Sequence, residues 1–133
     1  MCPPLGKYIF PLVVFNSQLL IRYVAWNAHE TFQGKYNFED NFDLVSYIKL
    51  AQQNDLLVIL RPGPYIDAEW EYGGYPYWLA NLVPKYIRTS NEIYLRIVDQ
   101  WFSVLMPNIQ PLLYKNGGPI ISVQVFIRFF FIM

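Results

Sequence analysis

The chain has 133 residues, room for one domain. It is 54% hydrophobic and 19% aromatic, so core material is ample, and flat rings suit sugar faces as well as ordinary cores. Zero formal net charge leaves no electrostatic footprint for nucleic acid, and a lone cysteine, Cys2, excludes an internal disulfide and a Cys-based zinc site.

Along the chain, residues 1–17 carry Lys7 and an apolar stretch over 9–15 that Pro11 interrupts. The stretch is short and the cleavage region poor, so it reads as an irregular or strand-forming segment rather than a signal peptide. The run over 21–26 is apolar and β-branched enough for a strand, and Gln33-Gly34-Lys35 gives a turn. His29-Glu30 lacks the second histidine of a zincin motif, since Gln33 stands there, and no metal or other cofactor is expected. Asn37 or Asp40 is placed to cap a helix over 41–54, with Leu44, Val45, Ile48 and Ala51 on one face. A second strand follows near 57–61. Thr89-Ser90-Asn91-Glu92 has capping-box spacing and predicts a helix over 91–106. That helix would turn Tyr94, Val98, Trp101, Phe102 and Leu105 to one side and be broken by Pro107 and Pro111. Asn116-Gly117-Gly118-Pro119 is a turn, and 120–125 a third strand. The order β-α-β-α-β predicts a parallel sheet covered by helices. No run of about 18 apolar residues is present, so no spanning helix is expected.

Chemistry concentrates after the second strand. Arg61-Pro62-Gly63-Pro64 ends it abruptly, and Tyr65, Asp67, Glu69, Trp70, Glu71, Tyr72 and Trp78 follow, acids beside flat rings. The segment Tyr23-Val24-Ala25-Trp26-Asn27-Ala28-His29-Glu30 and the run from Arg61 to Trp70 carry a resemblance to a known family. So do Gly73-Gly74-Tyr75-Pro76-Tyr77-Trp78-Leu79 and the run from Asn116 to Val125. Together, over roughly residues 22–125, they resemble the β-galactosidases of glycoside hydrolase family 35. The resemblance implies an α/β fold, a partial (β/α)8 TIM barrel with roughly strands 2 to 4 and their helices, and retaining hydrolysis of terminal β-D-galactose. Such barrels present working residues where strands end, and the four motifs lie at or just after strand ends. By resemblance Tyr23, Ala68 and Glu69 contact galactose, Glu69 accepting hydrogen bonds from ring hydroxyls; from the residues alone Glu69 reads first as a solvated loop acid. His29 and Glu30 are expected in a buried polar network and Arg61 beside a carboxylate. Trp70 and Trp78 are expected in packing, and Glu71 as a surface charge.

The chain departs from the family pattern at several positions. Asp67 replaces a cysteine, Ala25 a proline or larger residue, and Thr31 a proline. The family continues Val-Gln-Val with Glu-Asn-Glu, whose last Glu is the catalytic acid/base. Here Phe126, Ile127 and Arg128 follow, and arginine cannot give up a proton near neutral pH. The family nucleophile lies on a later strand, beyond the last residue. Residues 1–20 and 126–133 do not match, leaving 21–125 as the partial catalytic barrel. Retaining hydrolysis needs two carboxyls about 5–5.5 Å apart on either side of the bond. If extended, Asp67 and Glu69 would lie roughly 6–7 Å apart on one side of one segment, unable to bracket a sugar. The expectation is therefore a β-galactosidase fragment inactive alone; the alternative is a non-catalytic galactose-binding or interaction fragment. Three strands leave open sheet edges, so self-association is expected. By family the protein would be lysosomal, vacuolar or secreted.

Overall fold

A computed structural model describes residues 18–125; the leader-like segment, Arg128 and the apolar tail lie outside them. Three parallel strands form one sheet in the order β1 (Leu19–Tyr23), β2 (Leu57–Arg61), β3 (Ile120–Val123). Leu19 to Tyr23 pair in register with Leu57 to Arg61, and Val58 pairs with Ile120 before the ladder shifts by one residue. Alternation sends Leu20, Val58, Leu60 and Ile120 to the helix-covered face, where all four are buried. On the opposite face Leu19, Ile21 and Ile59 are half-buried and Leu57 is exposed.

Two helices supply most of the cover. Helix α2 (Leu44–Gln53) buries Leu44, Ile48 and Ala51 at helical spacing, as its periodicity requires, with Val45 packed at the margin. The long C-terminal helix, Glu92–Ile109, is α4; the short α1 (Trp26–His29) and α3 (Tyr77–Leu82) precede it. It buries Tyr94, Ile97, Trp101, Leu105 and Ile109, with Val98 and Phe102 packed beside them. Trp101 is fully buried, stacks on Trp26 at 5.6 Å, and donates its indole N–H to the Pro62 carbonyl at 3.5 Å. The chain leaving β2 is thereby tied to the helix layer.

Local departures from the sequence expectation have physical causes. Strand β1 begins at Leu19 and stops at Tyr23; Val24 N–H makes a last bond to the Arg61 carbonyl before the chain turns at Ala25 into α1. The helix expected over 41–54 is two pieces, since Asp40 sits at φ 50° and opens only a short 3-10 turn. Asp43, not Asn37 or Asp40, caps α2, accepting from Ser46 N–H at 2.9 Å. Asn91 replaces Thr89 as the cap of α4, its side chain accepting from Ile93 and Tyr94 N–H. The Thr89 hydroxyl is engaged in the preceding turn, donating to the Tyr86 carbonyl. Pro107 does not end α4, which runs on to Ile109. The missing N–H costs one bond in the last turns, and the Asn108 side-chain amide donates to the Val104 carbonyl at 2.9 Å. Strand β3 ends at Val123, although Gln124 N–H still reaches the Leu60 carbonyl. Among the described residues no helix is long and apolar enough to cross a membrane.

Candidate functional site

All three strands run the same way, so their C-terminal ends share one edge of the sheet. Register places Tyr23 beside Arg61 there. Arg61 is the hub: Nη1 donates to the Tyr23 hydroxyl, and Nε donates to Gln124 Oε1 at 2.8 Å. Its guanidinium also sits 5.0 Å from the Tyr23 ring centroid, within cation–π range. A residue from each strand end is thus joined through one cation. Two of the partners of Arg61 are a phenol and a side-chain amide, supplied by the strands on either side of β2.

The loop leaving β2 is built by backbone conformations that its residue types do not advertise. The Gly63–Pro64 bond is cis, and Asp67, Ala68 and Glu69 are all left-handed, at φ 58°, 50° and 54°. The extended geometry expected for Asp67 and Glu69 is therefore wrong; the segment coils. Coiling still leaves both acids exposed on one loop. Trp70 N–H closes the turn on the Asp67 carbonyl, and Ile66 N–H bonds the Gly73 carbonyl. Side chains lock it further: Tyr65 hydroxyl donates to Asp67 Oδ1 at 3.2 Å, and Trp70 indole N–H donates to Asn27 Oδ1 at 2.9 Å. Gly73, at φ 60°, is required on steric grounds, since a Cβ there would lie 1.9 Å from the Tyr65 ring.

Beneath the edge lies a buried polar group. Glu30, 2% exposed, accepts from the Trp26 indole N–H and from Gly34 N–H, while Trp78 indole N–H donates to the Glu30 carbonyl. Burial beside this carboxylate raises the Tyr36 hydroxyl pKa. His29, 4% exposed, donates from Nδ1 to the Asn37 carbonyl at 2.9 Å, with its ring stacked on Phe38. Burial holds the His29 pKa below its ordinary value, and the like charge of Arg22 adds to the effect, against the opposing Asn37 bond. Both residues sit in a buried polar network, as the sequence suggested; of the two tryptophans expected in packing, Trp78 packs against the core and Trp70 bonds Asn27 at the loop. Glu71 is exposed but accepts from the Tyr77 hydroxyl at 2.9 Å.

Tyr23 is half-buried at the strand edge, and Ala68 and Glu69 are exposed on the β2 loop. Gln124 is the member that residue-type reasoning left unassigned, legible only as the middle of Val-Gln-Val. The arrangement offers hydroxyl and guanidinium donors and an open carboxylate acceptor, the inventory that polyhydroxylated ligands need. A separate hollow of about 280 Å³, lined by His29, Phe32, Tyr36, Phe42 and others, includes none of Tyr23, Ala68 and Glu69. Among the described residues no group of three or more His, Cys, Asp or Glu is placed to hold a metal ion.

Comparison with known proteins identifies the family. The sequence profile of Glycosyl hydrolases family 35 matches residues 17–129. A protein named Beta-galactosidase from Bos taurus is 56% identical over 103 residues, 77% of this chain and 16% of the relative. Beta-galactosidase-1-like protein from Mus musculus is 54% identical over 103 residues, again 77% and 16%. Beta-galactosidase 17 from Arabidopsis thaliana is 52% identical over 104 residues, 77% and 15%. The chain therefore spans about a sixth of the length of the relatives it matches. It belongs to glycosyl hydrolase family 35.

Proposed function

We propose that this chain forms strands two to four of a (β/α)8 barrel and contributes the galactose-recognition edge of a retaining β-galactosidase. Tyr23 and the Ala68-Glu69 pair would contact the sugar, with Glu69 accepting from its hydroxyls. The observation that carries the reading is the convergence of three strand ends through Arg61, with the acid-bearing β2 loop leaving the same edge. In a barrel that edge is where substrate binds.

The 133 residues as a purified chain would not turn over substrate. By resemblance Arg128 occupies the acid/base position, and Asp67 and Glu69 share one coiled loop instead of facing each other across a bond. General acid–base catalysis typically contributes about 10²–10⁴-fold, so its loss alone is severe. A second reading, a non-catalytic galactose-binding or interaction fragment, is favoured by the exposed carboxylate of Glu69 and by the exposed apolar residues Ile121 and Val123 of β3 and Val125 just after it. Those residues would also drive self-association through the open sheet edge. The compartments open to the family are lysosomal, vacuolar or secreted.

The test is an aryl β-galactoside assay on the purified chain, run beside galactose binding. No hydrolysis above background is expected, with galactose binding lost in Glu69→Gln. Hydrolysis abolished by Glu69→Gln would overturn the inactive reading.

A further inference from the structure

We propose that the stacked rings of Tyr72 and Tyr77, with the Glu71 carboxylate at their rim, form a platform for a second saccharide ring beside the galactose position. Its place relative to galactose rests on the reading above; its chemistry does not.

Two tyrosines lie face to face on the surface, centroids 6.2 Å apart and planes 9° from parallel. Tyr77 is 63% exposed and Tyr72 38%, so the pair is not core packing. Both are held. Tyr72 sits at φ 52°, a left-handed conformation uncommon for a ring residue, with its ring edge-to-face against buried Tyr75 at 5.9 Å. Tyr77 opens α3 directly after Pro76, whose ring fixes the approach, and its hydroxyl is anchored on Glu71 Oε2. A fixed ring loses little freedom when a ligand stacks on it, which is what makes such rings good binding surfaces.

The ligand class follows from the two chemistries side by side. A pyranose has an apolar C–H face that fits a flat ring and equatorial hydroxyls that a carboxylate accepts. Glu71 spends one oxygen on Tyr77 and keeps the other as an acceptor. A protein partner fits less well, because two rings and a rim charge make too small and too polar a patch for a stable interface. Location selects the sugar further. Ring contacts run without a break from Tyr77 through Tyr72 and Tyr75 to Tyr65, whose hydroxyl donates to Asp67. The platform is thus the far end of the loop that carries Ala68 and Glu69, and a disaccharide spanning that loop would present its leaving-group sugar to it.

Saturation-transfer NMR on the full chain tests this, with methyl β-D-glucopyranoside, galactose and lactose as probes; signals are read on the ligand, so an oligomeric protein is tolerated. Transfer to the glucoside and to the glucose ring of lactose is expected. Tyr77→Ala should weaken glucoside binding about 3- to 10-fold with an unchanged far-UV spectrum, while Tyr77→Phe, which keeps the ring, retains it. Glu69→Gln should remove transfer to galactose and spare the glucoside, which separates the two readings. A responsive glucoside with silent galactose leaves the platform standing and sinks the galactose site. Absence of transfer to the glucoside, or transfer unchanged in Tyr77→Ala, overturns the platform. So does a Tyr77→Ala variant that changes only oligomer size, which would mark a protein contact instead.

Discussion

Replacing Arg61 by methionine removes a cation that joins the three strand ends while keeping an unbranched apolar stem. The part-buried bond to the Tyr23 hydroxyl contributes about 1–1.5 kcal/mol and the exposed bond to Gln124 about 0.5–1 kcal/mol. The guanidinium over the Tyr23 ring adds about 0.5 kcal/mol. Arg61→Met should therefore destabilise the fold by about 2–3 kcal/mol, a large share of the 5–15 kcal/mol typical of a domain. Arg61→Lys keeps a charge near the ring but cannot fork to two acceptors, so it should lose about half as much. Urea unfolding at low protein concentration, followed by far-UV circular dichroism, gives both values, and Tyr23 ring resonances should broaden in the methionine variant. An Arg61→Met chain within about 0.5 kcal/mol of the parent, with Tyr23 unmoved, would refute the hub.

Three further expectations follow from particular contacts. Gly73→Ala puts a Cβ 1.9 Å from a Tyr65 ring already flanked by Tyr75 and Arg88, at a φ of 60°. It should cost about 2–4 kcal/mol by urea midpoint, and a neutral result would mean the loop relaxes freely. His29 is held neutral by burial, so its folded pKa lies below the unfolded value of 6.5. The unfolded state then binds the proton more readily, so this contribution is whole above about pH 6.5 and is lost as pH falls below it. His29→Gln should flatten the slope of unfolding free energy against pH there; an unchanged slope contradicts the assignment. Finally, the tail from Phe126 to Met133 carries one charge and no proline after a strand with an open edge. Deleting 126–133 should raise the soluble fraction without giving hydrolysis, whereas equal soluble fractions for the intact and shortened chains would refute the aggregation argument.

The sheet and the α2 face were legible because they rest on simple patterns: Leu57 to Leu60 as a short apolar run with Val58 and Ile59 at its centre, and Leu44, Ile48 and Ala51 at helical spacing. Parallel pairing followed from the alternation of strand and helix. Reading Pro107 as a breaker failed because a proline so near a helix end costs a single bond, too little to stop the helix. Helix α3 was missed since six residues carry too little pattern to read. The coiled 67–69 segment was illegible for a different reason. Asp, Ala and Glu carry no left-handed signature, and the conformation is imposed by the Asn27–Trp70 and Tyr65–Asp67 bonds, which no local spacing reveals. The candidate site was legible as a cluster of acids and rings after a strand end. The roles of Tyr23, Ala68 and Glu69 came from the family resemblance, and the pairing of Arg61 with Tyr23 emerged only with the register that sets them side by side.

The central claim is that strand ends and the β2 loop together form a galactose-recognition edge. Titrating isotope-labelled chain with galactose and mapping the shifted resonances tests it most directly. The account predicts saturable shifts at Tyr23, Ala68, Glu69 and the Arg61 side chain, all lost in Glu69→Gln. Shifts confined to the hollow around Phe32 and Tyr36, or no saturable shift at the strand edge, would contradict it.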